Sequence, residues 1–298
     1  MARLVGLQEN LWARFPRLPS YIAIARLDRP IGIYLLLWPT LTGLWFAASG
    51  WPGWHLLLVF LLGVLLTRSA GCVINDIADR NFDGKVKRTL NRPLPSGDLS
   101  IEAAVIFAAV LAFVALIVVL TTNWLTVGLA FLAALVAAIY PFMKRYTYLP
   151  QVVLGVAFSF GIPMAYAAYT GTVPAIAWLL ATANVVWTVA YDTEYAMVDR
   201  DDDLRLGLRS SAILFGEMDK LIIGILQVLF VAILLLVGRQ AEVGSFFYLG
   251  VALASGLLIY QQYLLKDRAR EDCFAAFLNN HWVGLAIYGG VVLDFWLS

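Results

Sequence analysis

The sequence has little charge and few residues that bind metals through nitrogen or sulfur. Only 14% of its 298 residues are Asp, Glu, Lys or Arg, and it contains two histidines and two cysteines. His55 and His281 lie far apart in the chain, and Cys72 and Cys273 have no zinc-binding spacing. The sequence therefore argues against a histidine metal site, a zinc site and a disulfide-stabilised fold.

Features of other protein classes are missing as well. The formal net charge is +1 and no basic arm or basic and aromatic patch is present, which argues against a nucleic-acid partner. Residues 1–20 lack the compact apolar run and small-residue cleavage site of a signal peptide. No change in composition marks a second domain. We predict one domain over residues 1–298, in which 1–20 form an interfacial segment that Pro16 and Pro19 end before Tyr21.

Apolar residues are abundant. They make up 61% of the chain and give a mean hydropathy of +0.81, which is more apolar surface than a soluble globule of this length hides. Runs of about 20 apolar residues are long enough to cross a bilayer. The predicted spans are 30–49, 55–82, 101–120, 124–142, 149–169, 174–198, 218–238, 244–264 and 281–297. The predicted fold is therefore all-α, a polytopic bundle of nine transmembrane helices.

The distribution of Lys and Arg predicts the orientation of these spans. With a cytoplasmic N-terminus, all the basic residues except Arg68 and Arg239 fall on the inner side, either before the first span, in an inner loop or at the inner end of a span. Positive charge favours the cytoplasmic side of a membrane. We therefore expect a multi-pass protein of a bacterial inner membrane, with a cytoplasmic N-terminus and a periplasmic C-terminus.

A first acidic cluster ends the second predicted span. Asp76, Asp79 and Asp83 fall within about 60° of one another on a helix that turns 100° per residue. Acidic residues at a helix end are usually a solvated surface. These residues, however, end a membrane-type segment, where ionisable side chains are costly and often functional. We therefore interpret them as candidate ligands of a cation.

A second acidic cluster ends the sixth predicted span. Asp192, Asp199 and Asp203 fall within about 40° of one another. The basic residues Lys85, Lys87, Arg88 and Arg92 follow the first cluster, and Arg205 and Arg209 follow the second. The clusters are four spans apart, which indicates a weak repeat of parallel topology. Transporters often have inverted repeats instead, so this pattern counts against transport.

Acidic clusters followed by basic residues suit a magnesium diphosphate. Magnesium prefers carboxylate oxygens and usually binds together with phosphates of the substrate, and Lys and Arg neutralise phosphate oxygens. A diphosphate recognised among lipid-facing helices suggests a polyprenyl tail on the same molecule. Departure of diphosphate from such a molecule leaves an allylic cation, which must be protected from water.

Three stretches of the sequence carry a family resemblance. Asn75-Asp76-x-x-Asp79-x-x-x-Asp83 with Lys87-Arg88-Thr89-x-Asn91-Arg92-Pro93-Leu94, and Tyr191-Asp192-Thr193-x-Tyr195-Ala196-x-x-Asp199-x-x-x-Asp203, resemble the two signatures of UbiA-type intramembrane prenyltransferases. Tyr140-Pro141-x-x-Lys144-Arg145-x-Thr147-x-x-Pro150-Gln151 resembles the subgroup that prenylates 4-hydroxybenzoate in ubiquinone synthesis. The likeness extends from Asp28 to the last helix.

The resemblance implies helices around a central cavity, Mg²⁺ as cofactor, and prenylation of the ring ortho to the phenol. The implied metal ligands are Asp76, Asp79, Asp83, Asp192, Asp199 and Asp203. Among them, Asp76, Asp79 and Asp192 are expected to be catalytic, with Lys87 and Arg88 stabilising the departing diphosphate. The expected substrate-binding residues are Arg145, Arg68, Asn75, Lys144, Tyr195, Arg205 and Arg209.

Some alternatives stay open on sequence alone. The acceptor could instead be heme, chlorophyllide, homogentisate or dihydroxynaphthoate, and the base for the ring proton could be diphosphate or a motif aspartate. Arg145 is the first candidate for holding the acceptor carboxylate and Arg68 the second. An ion-coupled transporter is the alternative from another class, but its carboxylates would lie near the middle of the bilayer.

Overall fold

A computed structural model of the chain describes residues 15–83 and 89–297, with side chains throughout except at 81–83. All regular structure in these residues is helical, which confirms the predicted all-α class. The α-helices are α1 Leu18–Ile24, α2 Ile31–Ala48, α3 Trp54–Asp83, α4 Ile101–Val119, α5 Trp124–Met143, α6 Pro150–Ser159, α7 Gly161–Thr170, α8 Ala175–Leu206, α9 Ser211–Phe215, α10 Asp219–Gln240, α11 Ser245–Leu264 and α12 Arg270–Leu297.

Eight stretches of the described residues are long and apolar enough to cross a membrane, so the predicted membrane bundle is confirmed. The predicted number of nine is one too high by this measure. The predicted span that is not among the eight, 281–297, is the C-terminal part of α12, in which His281 and Asp294 interrupt the apolar residues. With a cytoplasmic N-terminus, an external C-terminus requires an odd number of membrane crossings. Eight spans therefore do not support the predicted external C-terminus.

The two helices that carry the aspartate motifs extend farther than predicted. The helix predicted to end at residue 82 ends at Asp83, and the one predicted to end at 198 continues to Leu206. The whole second motif therefore lies on α8. Gly207 ends this helix in a left-handed conformation, with φ of 67°, and the Leu208 N–H donates back to the Asp203 carbonyl at 2.9 Å.

The chain divides into two compact units. The first lies within Met1–Pro30 and Leu65–Ala115. Its core joins Ile24 of α1 to Val73 of α3 and to Ala104 and Ala108 of α4. The predicted break between Pro19 and Tyr21 is wrong, since both residues lie in α1. Pro19 is in the first turn of this helix, where a proline costs no intrahelical hydrogen bond.

The second unit comprises Ile31–Val64 and Leu116–Ser298, and α8 lies at its centre. This helix packs against α6, α7, α10 and α12, and its Trp187 ring stacks on Phe230 with 5.4 Å between centroids. The backbones of α11 and α12 meet closely at Gly250, where a Cβ atom would lie 2.6 Å from the Ala286 carbonyl oxygen. Small residues permit such close helix packing in membranes. The buried carboxylate of Asp294 on α12 then accepts hydrogen bonds from the Gly244 and Phe246 N–H groups where α11 begins.

Candidate active site

The first aspartate motif lies at the C-terminal end of α3 in the first unit. The Asp76 side chain is 1% exposed, and its carboxylate accepts hydrogen bonds from two arginines. Arg26 Nη2 lies 2.8 and 2.9 Å from Oδ1 and Oδ2, and Arg92 Nη1 lies 3.1 Å from Oδ1. A charge buried to this extent needs such partners. The structure therefore brings together a predicted metal ligand and two cations.

Other residues of the first motif lie beside Asp76 on α3. Asp79 is buried, and Asn75 Nδ2 donates to its Oδ2 at 3.3 Å, so two predicted site residues are in contact one helical turn apart. Arg68 lies two turns earlier on α3 and is half-buried. The Asp83 side chain, Lys87 and Arg88 lie outside the described residues, so their predicted roles stay predictions.

The second aspartate motif lies on about the last four turns of α8 in the second unit. Asp192, Asp199 and Asp203 are half-buried, as their spacing on one face predicts. Arg270 at the start of α12 donates from Nη2 to Asp202 at 2.6 Å and lies 3.8 Å from Asp199. Its Nε donates to the Val198 carbonyl at 2.6 Å. Neither Arg270 nor Asp202 was predicted as a site residue, since the sequence marked Arg270 only as a basic loop residue.

An ion cluster around a buried carboxylate fixes the C-terminal part of α8. Asp219, the first residue of α10, is fully buried and accepts hydrogen bonds from Arg200 of α8 and from Arg268, which lies between α11 and α12. The hydrogen bond to Asp219 raises the pKa of the Arg268 guanidinium above its usual value. Because Arg200 is next in sequence to Asp199, this cluster constrains the helix at the motif itself.

A polar network on the opposite face of α8 was also missed by the sequence analysis. Glu194 is fully buried, and its carboxyl group lies 2.9 Å from Asn280 Nδ2 and 3.4 Å from Gln227 Nε2. Asn280 in turn accepts from Trp187 Nε1 at 2.8 Å. The network joins α8 to α10 and α12, so the helix that carries the second motif is held by hydrogen bonds as well as by packing.

The predicted substrate-binding residues of the second unit are spread over α8 and two loops. Lys144 and Arg145 follow α5, and the Lys144 carbonyl accepts from the Arg209 N–H at 3.0 Å. The Arg209 guanidinium donates to the Tyr146 carbonyl and lies 5.1 Å from the Tyr148 ring centroid. Arg209 therefore ties the loop after α8 to the loop after α5.

Arg145, Arg205 and Tyr195 differ in their surroundings. Arg145 is exposed, with its guanidinium carbon 5.4 Å from the centroid of the Phe142 ring. Arg205 is exposed on the last turn of α8. The Tyr195 ring is half-buried and lies 4.7 Å from the Phe277 ring of α12. Among these residues, Tyr195 contributes an aromatic surface and the two arginines contribute accessible positive charge.

The carboxylates suit magnesium by their chemistry, since this ion takes oxygen ligands. The described residues contain no group of three His, Cys, Asp or Glu side chains arranged to hold one ion. In the first motif the described ligand candidates are Asp76 and Asp79, and in the second they are Asp192, Asp199 and Asp203. Each motif thus offers a partial set of oxygen ligands that substrate phosphates and water would have to complete.

The sequence matches the model of the UbiA prenyltransferase family over residues 36–284. It is 59% identical to a 4-hydroxybenzoate octaprenyltransferase of Aeromonas hydrophila over 93% of this chain and 96% of the relative. It is 57% identical to the enzyme of the same name from Pseudomonas aeruginosa over 98% of each chain.

Solved structures share the fold. A UbiA homolog from Aeropyrum pernix superposes with a TM-score of 0.79 at 23% identity, covering 88% of this chain and 97% of the homolog. A UbiA homolog from Archaeoglobus fulgidus bound to GPP and Mg²⁺ gives 0.68 at 16% identity, covering 92% of this chain and 99% of the homolog. The protein is therefore a multi-pass membrane protein that belongs to the UbiA prenyltransferase family, as its two aspartate motifs predict.

Proposed function

We propose that this protein transfers a polyprenyl group from a polyprenyl diphosphate to the ring of 4-hydroxybenzoate, ortho to the hydroxyl group, and releases diphosphate in ubiquinone biosynthesis. The observation that carries the proposal is the identity of 54–59% to relatives named 4-hydroxybenzoate octaprenyltransferase. The test is incorporation of radiolabelled 4-hydroxybenzoate into lipid when membranes that contain the protein receive a polyprenyl diphosphate.

We further propose that Mg²⁺ binds with the diphosphate at the carboxylates of the aspartate motifs. In the first motif Asp76 and Asp79 would hold one ion, and in the second Asp192, Asp199 and Asp203 would hold another. The bound ions would neutralise and polarise the diphosphate, which favours its departure. The buried Asp76 and the half-buried Asp192 support this proposal, since carboxylates at the ends of membrane helices need a cation.

The chain's own cations and aromatic rings have separate tasks in this proposal. Lys87 and Arg88 would bind the oxygens of the departing diphosphate, because charge-assisted hydrogen bonds to phosphate are strong. Tyr195, packed on Phe277, would present a ring face to the allylic cation. An aromatic ring stabilises a cation without adding to it, so the cation stays available for the acceptor.

We propose that Arg145 binds the carboxylate of 4-hydroxybenzoate. A planar guanidinium binds a carboxylate through two parallel hydrogen bonds. Arg145 is exposed, and the hydrogen bonds from Arg209 to Lys144 and Tyr146 hold the loop that carries it. Arg68, half-buried on α3, is the second candidate for the same task.

We propose that the protein lies in a bacterial inner membrane with its N-terminus and both aspartate motifs on the cytoplasmic side. In a variant without Cys72 and Cys273, a cysteine at Glu242, between α10 and α11, should react with an impermeant thiol reagent added from the periplasm. Thr89 is 2% exposed and would hide a cysteine, so Leu90, which is 48% exposed, is the better cytoplasmic probe. A cysteine at Leu90 should react only after the membrane is opened, and the reverse labelling pattern would overturn the orientation.

A further inference from the structure

Arg26 is the described residue in closest contact with Asp76, and none of the roles assigned above includes it. Its Nη2 lies 2.8 Å from Oδ1 and 2.9 Å from Oδ2, so one nitrogen contacts both oxygens of the carboxylate. Those two oxygens are the atoms that a divalent ion at Asp76 would use. A guanidinium and a metal ion cannot share them without strong repulsion.

The local structure holds Arg26 in this position. Its backbone has φ of 58°, a left-handed conformation that residues other than glycine adopt rarely. The backbone N–H of Arg26 donates to the Ala23 carbonyl at 3.1 Å, and the side-chain Nη1 donates to the same oxygen at 2.7 Å. Ile24 and Tyr21 anchor this end of α1 in the core of the first unit. The guanidinium is therefore directed at Asp76 by packing as well as by charge.

The charges at Asp76 favour a diphosphate over a bare ion. Asp76, Arg26 and Arg92 together carry a formal charge of about +1, and their side chains are 1%, 23% and 15% exposed. The neighbouring buried Asp79 brings the sum of the four side chains to about zero. A divalent ion added alone would raise this sum to about +2 in a poorly hydrated place. A diphosphate of about −3 that arrives with the ion would lower the sum to about −1 and would offer oxygens to the displaced guanidinium.

We infer that Arg26 is a positioning residue that keeps Asp76 closed to a divalent ion on its own, and that it moves to the diphosphate when ion and diphosphate bind together. The inference rests on the proposed function, since it takes Asp76 as a ligand of the ion. It explains why two half-buried arginines, Arg26 and Arg92, contact a buried carboxylate that the proposed reaction needs. It also predicts that a divalent ion binds at Asp76 only together with the diphosphate.

The test measures binding of Mn²⁺, in place of Mg²⁺, to the full chain in lipid nanodiscs. The electron paramagnetic resonance signal of free Mn²⁺ gives the affinity with and without inorganic diphosphate, after subtraction of a protein-free titration. Arg26→Gln should bind Mn²⁺ alone at least about tenfold more tightly than the unchanged protein, because the competing cation is gone. Added diphosphate should then tighten Mn²⁺ binding less than it does in the unchanged protein.

Three variants make this result specific. Arg29→Gln removes a neighbouring exposed arginine that pairs only weakly with Asp28, at 3.6 Å, and should behave like the unchanged protein. Arg26→Lys keeps the positive charge, so its affinity for Mn²⁺ alone should stay close to that of the unchanged protein. In a double-mutant cycle with Asp76→Asn, Arg26→Gln should no longer increase the affinity for Mn²⁺ alone. This result would assign the increase to Asp76 and not to the second motif.

The inference is overturned if Arg26→Gln leaves the affinity for Mn²⁺ alone unchanged, whether or not it lowers the melting temperature. That outcome would make Arg26 a structural brace. It is also overturned if the gain persists with Asp76→Asn. Failure of the proposed function has a different result, in which the unchanged protein shows the Mn²⁺ and diphosphate coupling but transfers no prenyl group to 4-hydroxybenzoate.

Discussion

Replacing Asp76 or Asp192 by asparagine is expected to lower kcat/KM for prenyl transfer by about a thousandfold or more, since a bound metal ion contributes several kcal/mol to such a step. Asparagine keeps the shape of the side chain and removes the charge that binds the ion. Activity of the unchanged protein should likewise vanish with EDTA and return with Mg²⁺. The measurement is the initial rate of transfer in membranes, with the amount of protein determined by immunoblot.

Two controls separate loss of the metal from loss of the fold. Asp98→Asn changes an exposed carboxylate of the first unit that accepts a local hydrogen bond from Ser96, and it should leave the rate unchanged. Gel filtration in detergent should show that each inactive variant is monodisperse. Full activity in Asp76→Asn or Asp192→Asn, with metal binding unchanged, would show that the aligned aspartates are only polar helix ends.

Arg145→Ala is expected to raise the apparent KM for 4-hydroxybenzoate by about thirtyfold and that for the prenyl diphosphate much less. Loss of one partner of a charge pair costs about 2 kcal/mol or more in a binding site, which corresponds to this factor. Arg145→Lys keeps the charge without the planar fork and should give an intermediate KM. Steady-state rates with each substrate varied in turn provide the measurement.

The matched control for Arg145 is Lys266→Ala, which removes another exposed basic residue from the second unit. Its KM values should equal those of the unchanged protein. If Arg145→Ala instead raises the KM for the prenyl diphosphate and leaves that for 4-hydroxybenzoate unchanged, Arg145 belongs to the diphosphate site. Arg68→Ala should then show the rise in KM for 4-hydroxybenzoate.

The fold class was predictable because hydropathy reports directly on burial in lipid. The exception is α12, where Asn280 satisfies the buried Glu194 of α8 and Asp294 caps α11. A polar residue that has a partner inside a bundle looks the same in sequence as one that faces water. The prediction of a ninth span rests on the apolar residues that follow Asn280 and gives too little weight to the polar residues of the same helix, so the predicted number is one higher than hydropathy supports.

The aspartate motifs were predictable because helical periodicity places residues three, four and seven apart on one face. Their partners were not. Arg26 precedes Asp76 by 50 positions and Arg270 follows Asp202 by 68, so only the folded chain brings them together. In the sequence both arginines are ordinary markers of the cytoplasmic side. Their role as counterions becomes visible only when the carboxylate they contact is known to be buried.

The most direct test of the proposed activity is prenyl transfer by the purified protein in lipid nanodiscs with Mg²⁺, a polyprenyl diphosphate and radiolabelled 4-hydroxybenzoate. We expect the label to move into the organic extract as a 4-hydroxybenzoate prenylated ortho to the hydroxyl group, and to stay in water with Asp76→Asn. Parallel reactions with homogentisate and dihydroxynaphthoate should give little product. Transfer to one of these acceptors with none to 4-hydroxybenzoate, or no transfer at all by the folded protein, would contradict the proposed function.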